Sequence, residues 1–233
     1  MQNMLKDALL IAQKDLMSRR TYLGCLILSI ALVLSSFGCA ATDLEGFIMP
    51  NTICWLVFPI AIGPIITVPA GSRILADETS TNMLEVLMVG GVSPFAFVIG
   101  KTLKPILWGI LTSVLSFLAA QIGFTFFGNC AFVLYGFGPC FLLASLTSII
   151  AASVFLMAFS ATLSNESMYS AAAICLSIGP LLLLCNSYVA LGFAAPVEAL
   201  PMVVAINLAF CALGLAWALW QLRPGSSHWV IGS

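Results

Sequence analysis

Residues 72–94, SRILADETSTNMLEVLMVGGVSP, decide the fold because they form a polar interruption between long apolar runs. They hold four charged residues, in a chain of which only 7% is charged: Arg73, Asp77, Glu78 and Glu85. The segment is too short and too charged to cross a bilayer. We therefore expect it to lie outside the membrane and to join two membrane spans.

A short amphipathic helix is predicted inside this segment. Asn82 precedes Glu85 by three residues, which is the spacing of a capping box. The apolar side chains after Asn82 share one helical face: Met83, Leu84, Leu87 and Met88. Gly90 and Gly91 favour the end of this helix, and Pro94 favours the start of the next. The pattern predicts a helix that presents an apolar face to a partner.

The composition indicates an integral membrane protein. Hydrophobic residues make up 61% of the 233 residues, and charged residues make up 7%, against about 25% charged in soluble domains. Six spans of roughly 20–25 residues would take up nearly the whole length. We therefore predict an all-α membrane fold of six transmembrane helices in a single domain, residues 1–233, with no second domain. The net charge of -1 does not favour a nucleic-acid partner.

The apolar runs place the six predicted spans. They cover residues 22–41, 53–72, 95–127, a part of 130–163, 169–190 and 202–222. Gly136–Pro139 is expected to divide the fourth run, and residues 192–201 are expected to form a loop. The first turns of the third span, with Lys101 and Lys104, are expected to protrude.

The first 20 residues predict an amphipathic helix that lies on the membrane surface. Its apolar face comprises Leu5, Leu9, Ala12 and Leu16. This segment is charged throughout and lacks the pattern of a cleavable signal peptide. The predicted fold thus has six spans, this interfacial helix and the short helix within residues 76–91.

The charges predict the orientation. With six spans, all eight basic residues fall on one side: Lys6, Lys14, Arg19, Arg20, Arg73, Lys101, Lys104 and Arg223. The loops on the other side carry Asp43, Glu45 and Glu198 and no basic residue. Because basic loops stay in the cytoplasm, we expect both termini and residues 76–91 to be cytoplasmic in a multi-pass plasma-membrane protein.

Residues for catalysis or metal binding are scarce. His228 is the single histidine, and no carboxylate, lysine or histidine falls within the apolar depth of a predicted span. An intramembrane enzyme or a proton-coupled pump needs such groups. The eight cysteines lack a Cys-x-x-Cys spacing and are interpreted as small buried hydrophobes; a disulfide between Cys39 and Cys130 is the alternative. We predict no catalytic, cofactor or metal site.

Helix breaks in the second and fifth spans suggest a translocation path. Candidate path residues are Pro59, Pro64, Pro180, Asn186 and Ser187. Breaks at membrane depth free backbone carbonyls, which are tolerated where protein or a water-lined cavity satisfies them. The alternative is that these prolines only bend the helices.

The loop and layout resemble the membrane subunit of ABC type-2 transporters. That family shows acidic residues, then T-L-E-x-L-L, then P-V-S, and later G-K. The matching positions are Asp77, Glu78, Met83, Leu84, Glu85, Leu87, Val92, Ser93, Gly100 and Lys101. Asn82-Met83 replaces the usual G-T, and Gly91 replaces the proline. The motif covers about 30 residues, whereas the layout covers the whole chain.

The resemblance implies a permease subunit of an ATP-driven exporter in a bacterial plasma membrane. Residues 76–91 would form the cytoplasmic coupling helix and contact the ATPase through Asp77, Glu78, Glu85 and the apolar face. The partners would be a cytoplasmic ABC ATPase subunit and a second permease, identical or different. ATP and Mg would bind the ATPase, so the permease itself would not be an enzyme. The second and fifth spans would line the path.

Three alternatives stay open at this point. A haem-exporter-like permease of cytochrome c maturation has a similar length and loop, although no histidine faces the outer side here. A membrane assembly protein without transport would need no ATPase. A channel outside the ABC class is the third alternative. A neighbouring gene for an ATPase with a P-loop would favour the ABC interpretation.

Overall fold

A computed structural model describes residues 2–16, 22–42, 62–71, 89–127, 138–160 and 196–222. Its regular elements in these ranges are six helices: α1 Gln2–Leu16, α2 Tyr22–Thr42, α3 Ile62–Gly71, α4 Pro94–Phe127, α5 Gly138–Ser160 and α6 Pro196–Gln221. Among the described helices, three are long and apolar enough to cross a membrane, in the windows Pro94–Ala119, Leu142–Ser160 and Pro201–Gln221. The all-helical class is confirmed for the described residues, and these helices support a membrane protein.

Helices α2 and α4 run in the same direction. Ser29 and Thr112 join them through a hydrogen bond of 2.9 Å between the two hydroxyl oxygens. One turn earlier on α2, Cys25 lies close enough to Lys104 for an electrostatic interaction. Contacts therefore advance together along both helices, and both start at the same end of the bundle. We call this the lysine end, defined by Lys101, Lys104 and the helix α1 that packs beside them.

Helix α5 runs against α4. Ser113, in the middle of α4, hydrogen-bonds to Ser145 near the start of α5, with 3.1 Å between the hydroxyl oxygens. Phe97, in the first turn of α4, instead shares a buried cluster with Met157 near the end of α5. Early residues of α4 thus meet late residues of α5, so α5 ends at the lysine end.

Helix α6 runs parallel to α5. Asn207 contacts Ser148 in the middle of both helices, and the rings of Phe159 and Trp217 pack edge to face near their ends, with centroids 5.1 Å apart. The end of α6 joins the cluster at the lysine end. Consequently both α5 and α6 begin at the opposite end of the bundle and end at the lysine end.

Helix α3 lies between α4 and α5 and runs against α4. A Cβ atom added to Gly63 would lie 2.5 Å from Ile149 and 3.6 Å from the carbonyl oxygen of Gly109. Gly71, two turns later, packs against Pro105 and Leu156. Because Pro105 directly follows Lys104, α3 ends at the lysine end.

The start of α4 was predicted correctly. Val89 is helical, and Gly90 and Gly91 form a turn in which Gly91 has a φ of +86°. This left-handed conformation favours glycine. Ser93 then caps α4, because its hydroxyl oxygen accepts a hydrogen bond of 3.2 Å from the Ala96 amide. Pro94 occupies the first helical position, where no amide hydrogen is needed.

The start of α5 was predicted correctly, whereas the start of α6 was not. Helix α5 begins at Gly138, within the predicted division at Gly136–Pro139. The predicted loop at residues 192–201 is wrong at its end, because α6 begins at Pro196 and includes Pro201. Pro196 fits the first position, and Pro201 removes only one hydrogen bond near the start of a long helix.

We expect Gly109→Ala to destabilise the bundle. The added Cβ would lie 2.7 Å from Cγ2 of Thr67 and 2.8 Å from Cγ2 of Ile149, so α3 or α5 would have to shift, at a cost of about 1–3 kcal/mol. Thermal unfolding in detergent measures the effect. Gly24→Ala is the matched control, because no atom of the described residues lies within 4 Å of its added Cβ. Equal melting temperatures for the two variants would contradict the described packing of α3.

Candidate functional site

The predicted coupling residues lie outside the described residues. These are Asp77, Glu78, Met83, Leu84, Glu85, Leu87 and Met88. Four predicted path residues, Pro59, Pro180, Asn186 and Ser187, also lie outside. The roles of these residues stay predictions. The structure describes instead the two helices that the predicted coupling segment connects, α3 and α4.

The predicted coupling segment lies between the end of α3 at Gly71 and the start of α4 at Pro94. Both of these helix ends lie at the lysine end. The segment follows Gly71, whose neighbours Pro105 and Leu156 belong to the lysine-end parts of α4 and α5. It leads into Ser93 and Pro94, where α4 starts. The chain therefore leaves the bundle and returns to it on the same side, beside α1.

Helix α1 packs across the first turns of α4. A Cβ atom added to Gly100 would lie 2.8 Å from the carbonyl oxygen of Ala8 and 2.9 Å from Cβ of Ile11. Ala8 and Ala12 are buried, and Ala12 is only 1% exposed. Glycine on one helix and alanine on the other allow the two backbones to approach closely.

The buried face of α1 differs from the predicted apolar face. Ala12 is shared by both, but Leu5 and Leu9 are exposed. The small residues turn towards α4 and the leucines turn away from it, so α1 has one face for the bundle and a second apolar face, which also includes Leu10. An amphipathic pattern alone does not distinguish a protein-facing side from a lipid-facing side. The predicted position of α1 on the membrane surface stays a prediction.

Lys101 and Lys104 are buried between helices, and the predicted protrusion of these first turns of α4 from the membrane stays a prediction. Lys101 is 3% exposed and Lys104 is 7% exposed, because neighbouring helices pack against this part of α4. The ammonium nitrogen of Lys101 lies 5.9 Å from the ring centroid of Phe97, within range of a cation–π interaction. The lysines therefore belong to the interior of the lysine end. A sequence-based orientation rule counts such charges but does not show whether they are buried.

Pro64 is the candidate path residue that the structure describes. It is buried in α3, and its carbonyl oxygen accepts a hydrogen bond of 2.7 Å from the Thr67 hydroxyl. Gly63 beside it contacts α5. Pro64 thus lies within the helix bundle, and its role in a path stays a prediction.

Sequence reasoning missed Asn207. This residue lies in the middle of α6 and is 1% exposed. It donates a hydrogen bond of 2.7 Å to the Ser148 hydroxyl on α5. The available signal was a carboxamide in an otherwise apolar stretch, AINLAF, where an unpaired polar group is costly.

These features define a helical membrane protein in which the residues between α3 and α4 leave and rejoin the bundle at the lysine end. No protein-family model matches the chain, and no curated protein matches it. The family of this chain is therefore not shown.

We expect Gly100→Val to loosen α1 from α4, because the larger side chain would collide with the Ala8 carbonyl and with Ile11. A cysteine introduced at Ala12, which is 1% exposed, reports the change. A membrane-permeant thiol reagent should label this cysteine slowly in the parent chain and faster with Gly100→Val.

Gly38→Val serves as the control in α2, because no described residue lies within 4 Å of its added Cβ. Its labelling rate at position 12 should equal that of the parent chain. The same rate in the Gly100→Val chain would show that α1 does not depend on this contact.

Proposed function

We propose that this chain is the transmembrane permease subunit of an ATP-driven ABC type-2 exporter. One observation carries the proposal: the segment that resembles the family's coupling helix is attached at both ends to the lysine end of the bundle, through Gly71 and Pro94. A segment mounted in this way can receive a soluble ATPase on one side of the membrane and transmit its motion to two helices.

The helix directions support six spans. Helices α2 and α4 run away from the lysine end, whereas α3, α5 and α6 run towards it. Residues 161–195 join the lysine end of α5 to the opposite end of α6, and one further crossing satisfies this connection. In the resulting arrangement, the chain enters its first span and leaves its last span on the same side.

The charges support a cytoplasmic lysine end. Within the described residues, Lys6 and Lys14 on α1 lie at the same end as Lys101 and Lys104 on α4, whereas Glu198 lies at the opposite end of α6. Positive charges favour the cytoplasmic side. In this account both termini and the coupling segment face the cytoplasm of a bacterial cell, and the protein is a multi-pass component of the plasma membrane.

The coupling helix docks through its apolar face. Leu84 and Leu87, with Met83 and Met88, enter a groove on the ATPase, in the manner of an amphipathic helix that binds in a groove. Each buried leucine contributes roughly 1.5–3 kcal/mol. The carboxylates of Asp77, Glu78 and Glu85 contact polar groups around this groove.

Helix α4 transmits the motion of the ATPase. The cap at Ser93 fixes its start, and Phe97 in the first turn packs into the cluster shared with α5 and α6. Gly100 fastens the same turns to α1. Closure of the ATPase dimer therefore moves several helices together, as a rigid-body rearrangement.

The permease supplies the path, and its partner supplies the energy. ATP and Mg bind the ATPase subunit. Two permeases, identical or different, pair within the membrane, and the breaks at Pro59, Pro64, Pro180, Asn186 and Ser187 face the path. The scarcity of charge at membrane depth favours an amphipathic or lipid-like substrate.

We expect Leu84→Asp and Leu87→Asp each to abolish association with the ATPase while membrane insertion persists. A carboxylate in an apolar groove is left without a partner, which is costly. Purification in mild detergent, followed by measurement of co-purified ATPase activity, tests this.

Val86→Asp is the matched control. It introduces the same charge at an apolar residue, but on the opposite helical face from Leu84. It should retain the ATPase. Retention of full ATPase activity by both leucine variants would refute the docking role of this face.

A further inference from the structure

The α5–α6 interface contains a hydrogen-bonded polar group at the middle of both helices. The Asn207 side-chain nitrogen donates a hydrogen bond to the Ser148 hydroxyl at 2.7 Å and lies 3.4 Å from the Thr147 hydroxyl oxygen. The Thr147 hydroxyl in turn donates to the Leu143 carbonyl at 2.7 Å. Asn207 and Ser148 are each 1% exposed. The carboxamide is therefore held by α5 alone among the described helices.

This arrangement fits one axial alignment of the two helices. One turn from Ser148 in either direction along α5 lie Ala144 and Ala152, whose side chains offer no hydrogen bond. One turn from Thr147 lie Leu143 and Ala151. A slip of α6 by one turn would thus bury Asn207 without a side-chain partner, and an unsatisfied buried polar group is costly.

The carboxamide does not add stability in a simple way. Its oxygen is buried with no hydrogen-bond partner among the described residues. Turning the amide over would exchange its two ends, so that the nitrogen would lack a partner instead of the oxygen. An apolar residue of similar size would avoid this cost. A buried polar group that is imperfectly satisfied can still specify the alignment of helices.

The other α5–α6 contacts restrict the alignment less. Gly214 lies against Val154, and the rings of Phe155 and Phe210 pack edge to face with centroids 5.7 Å apart. Apolar surfaces of this kind can repack with new neighbours. Helix α6 touches α4 only slightly and exposes Leu208 and Leu213 on its other faces. Its alignment in the described bundle therefore depends mainly on α5.

We propose that Asn207 and Ser148 form a register lock that holds α5 and α6 in one axial alignment, so that the two helices move as a single body. The inference does not depend on the ABC assignment, because it concerns two helices of this chain and no partner. Within the proposed permease, it would make α6 follow α5 when the bundle rearranges.

Pulsed electron paramagnetic resonance tests the lock in the full-length chain. Spin labels are attached through non-native amino acids at Leu142, near the start of α5, and Trp220, near the end of α6, which are both exposed. Because these two positions are far apart along the helix axis, an axial slip changes the distance between the labels. This labelling leaves the eight native cysteines in place. The parent chain should give a single narrow distance distribution.

Asn207→Leu is the decisive variant, because it has a similar volume and no hydrogen bonds. We expect its melting temperature to equal or exceed that of the parent, since the unsatisfied oxygen is gone and Ser148 can donate to its own helix. The distance distribution should nevertheless broaden or split, with a second alignment displaced by about 5.4 Å along the axis. Asn207→Ala carries the same expectation for the distances if the leucine variant does not fold.

Cys211→Ala is the matched control on the next turn of α6. It removes a weak contact of 3.7 Å between the thiol and the Thr147 carbonyl and should keep the single distance of the parent. A single parental distance in the Asn207 variants would overturn the register lock, whether or not their melting temperature falls. Such a result would assign Asn207 to packing alone.

Discussion

Close approach of helix backbones at small residues holds the described bundle together. Gly63 and Gly109 bring α3 against α4 and α5, and Gly100 brings α1 against α4, whereas Gly214 makes room on α6 for the Val154 side chain of α5. In a bilayer the lipid tails are as apolar as the side chains, so helix association depends on such close contacts and on hydrogen bonds between helices. These contacts, together with the hydrogen bonds between helices and the cluster around Phe97, show the directions in which the helices run.

In the proposed permease, these directions determine what the predicted coupling segment would move. Because α3 ends and α4 begins at the lysine end, a force applied to the segment reaches two helices of the bundle at once. The Ser93 cap and the buried Phe97 fix the start of α4. In the proposed permease, this start is the point at which α4 would receive the motion of the ATPase.

Local signals in the sequence were reliable where the backbone itself imposes a conformation. The turn at Gly90–Gly91, the start at Pro94 and the start of α5 follow from the backbone preferences of glycine and proline. Pro196 and Pro201 show the limit of this reasoning, because a proline near a helix start can be included in the helix. The sequence also indicated the helical membrane class through its composition.

Tertiary packing decided what the local signals did not. Leu5 and Leu9 were predicted to lie on an apolar face directed at the membrane, and they are exposed in the described bundle. The sequence did not show that Ala8 and Ala12 pack against α4, where only small residues permit the approach to Gly100. Lys101 and Lys104 are buried for a related reason, since their exposure depends on helices distant in sequence. Asn207 was overlooked because its partner, Ser148, lies on another helix. The predicted coupling face lies outside the described residues, and its role rests on pattern and attachment.

Photo-crosslinking from position 84 in native membranes tests the central claim most directly. A photoreactive amino acid in place of Leu84 would report what touches the coupling segment. The account predicts a crosslinked cytoplasmic protein whose sequence contains a nucleotide-binding P-loop, and no such product from a probe at Asp43. Crosslinks from position 84 only to lipid, or to a protein outside the cell, would contradict it.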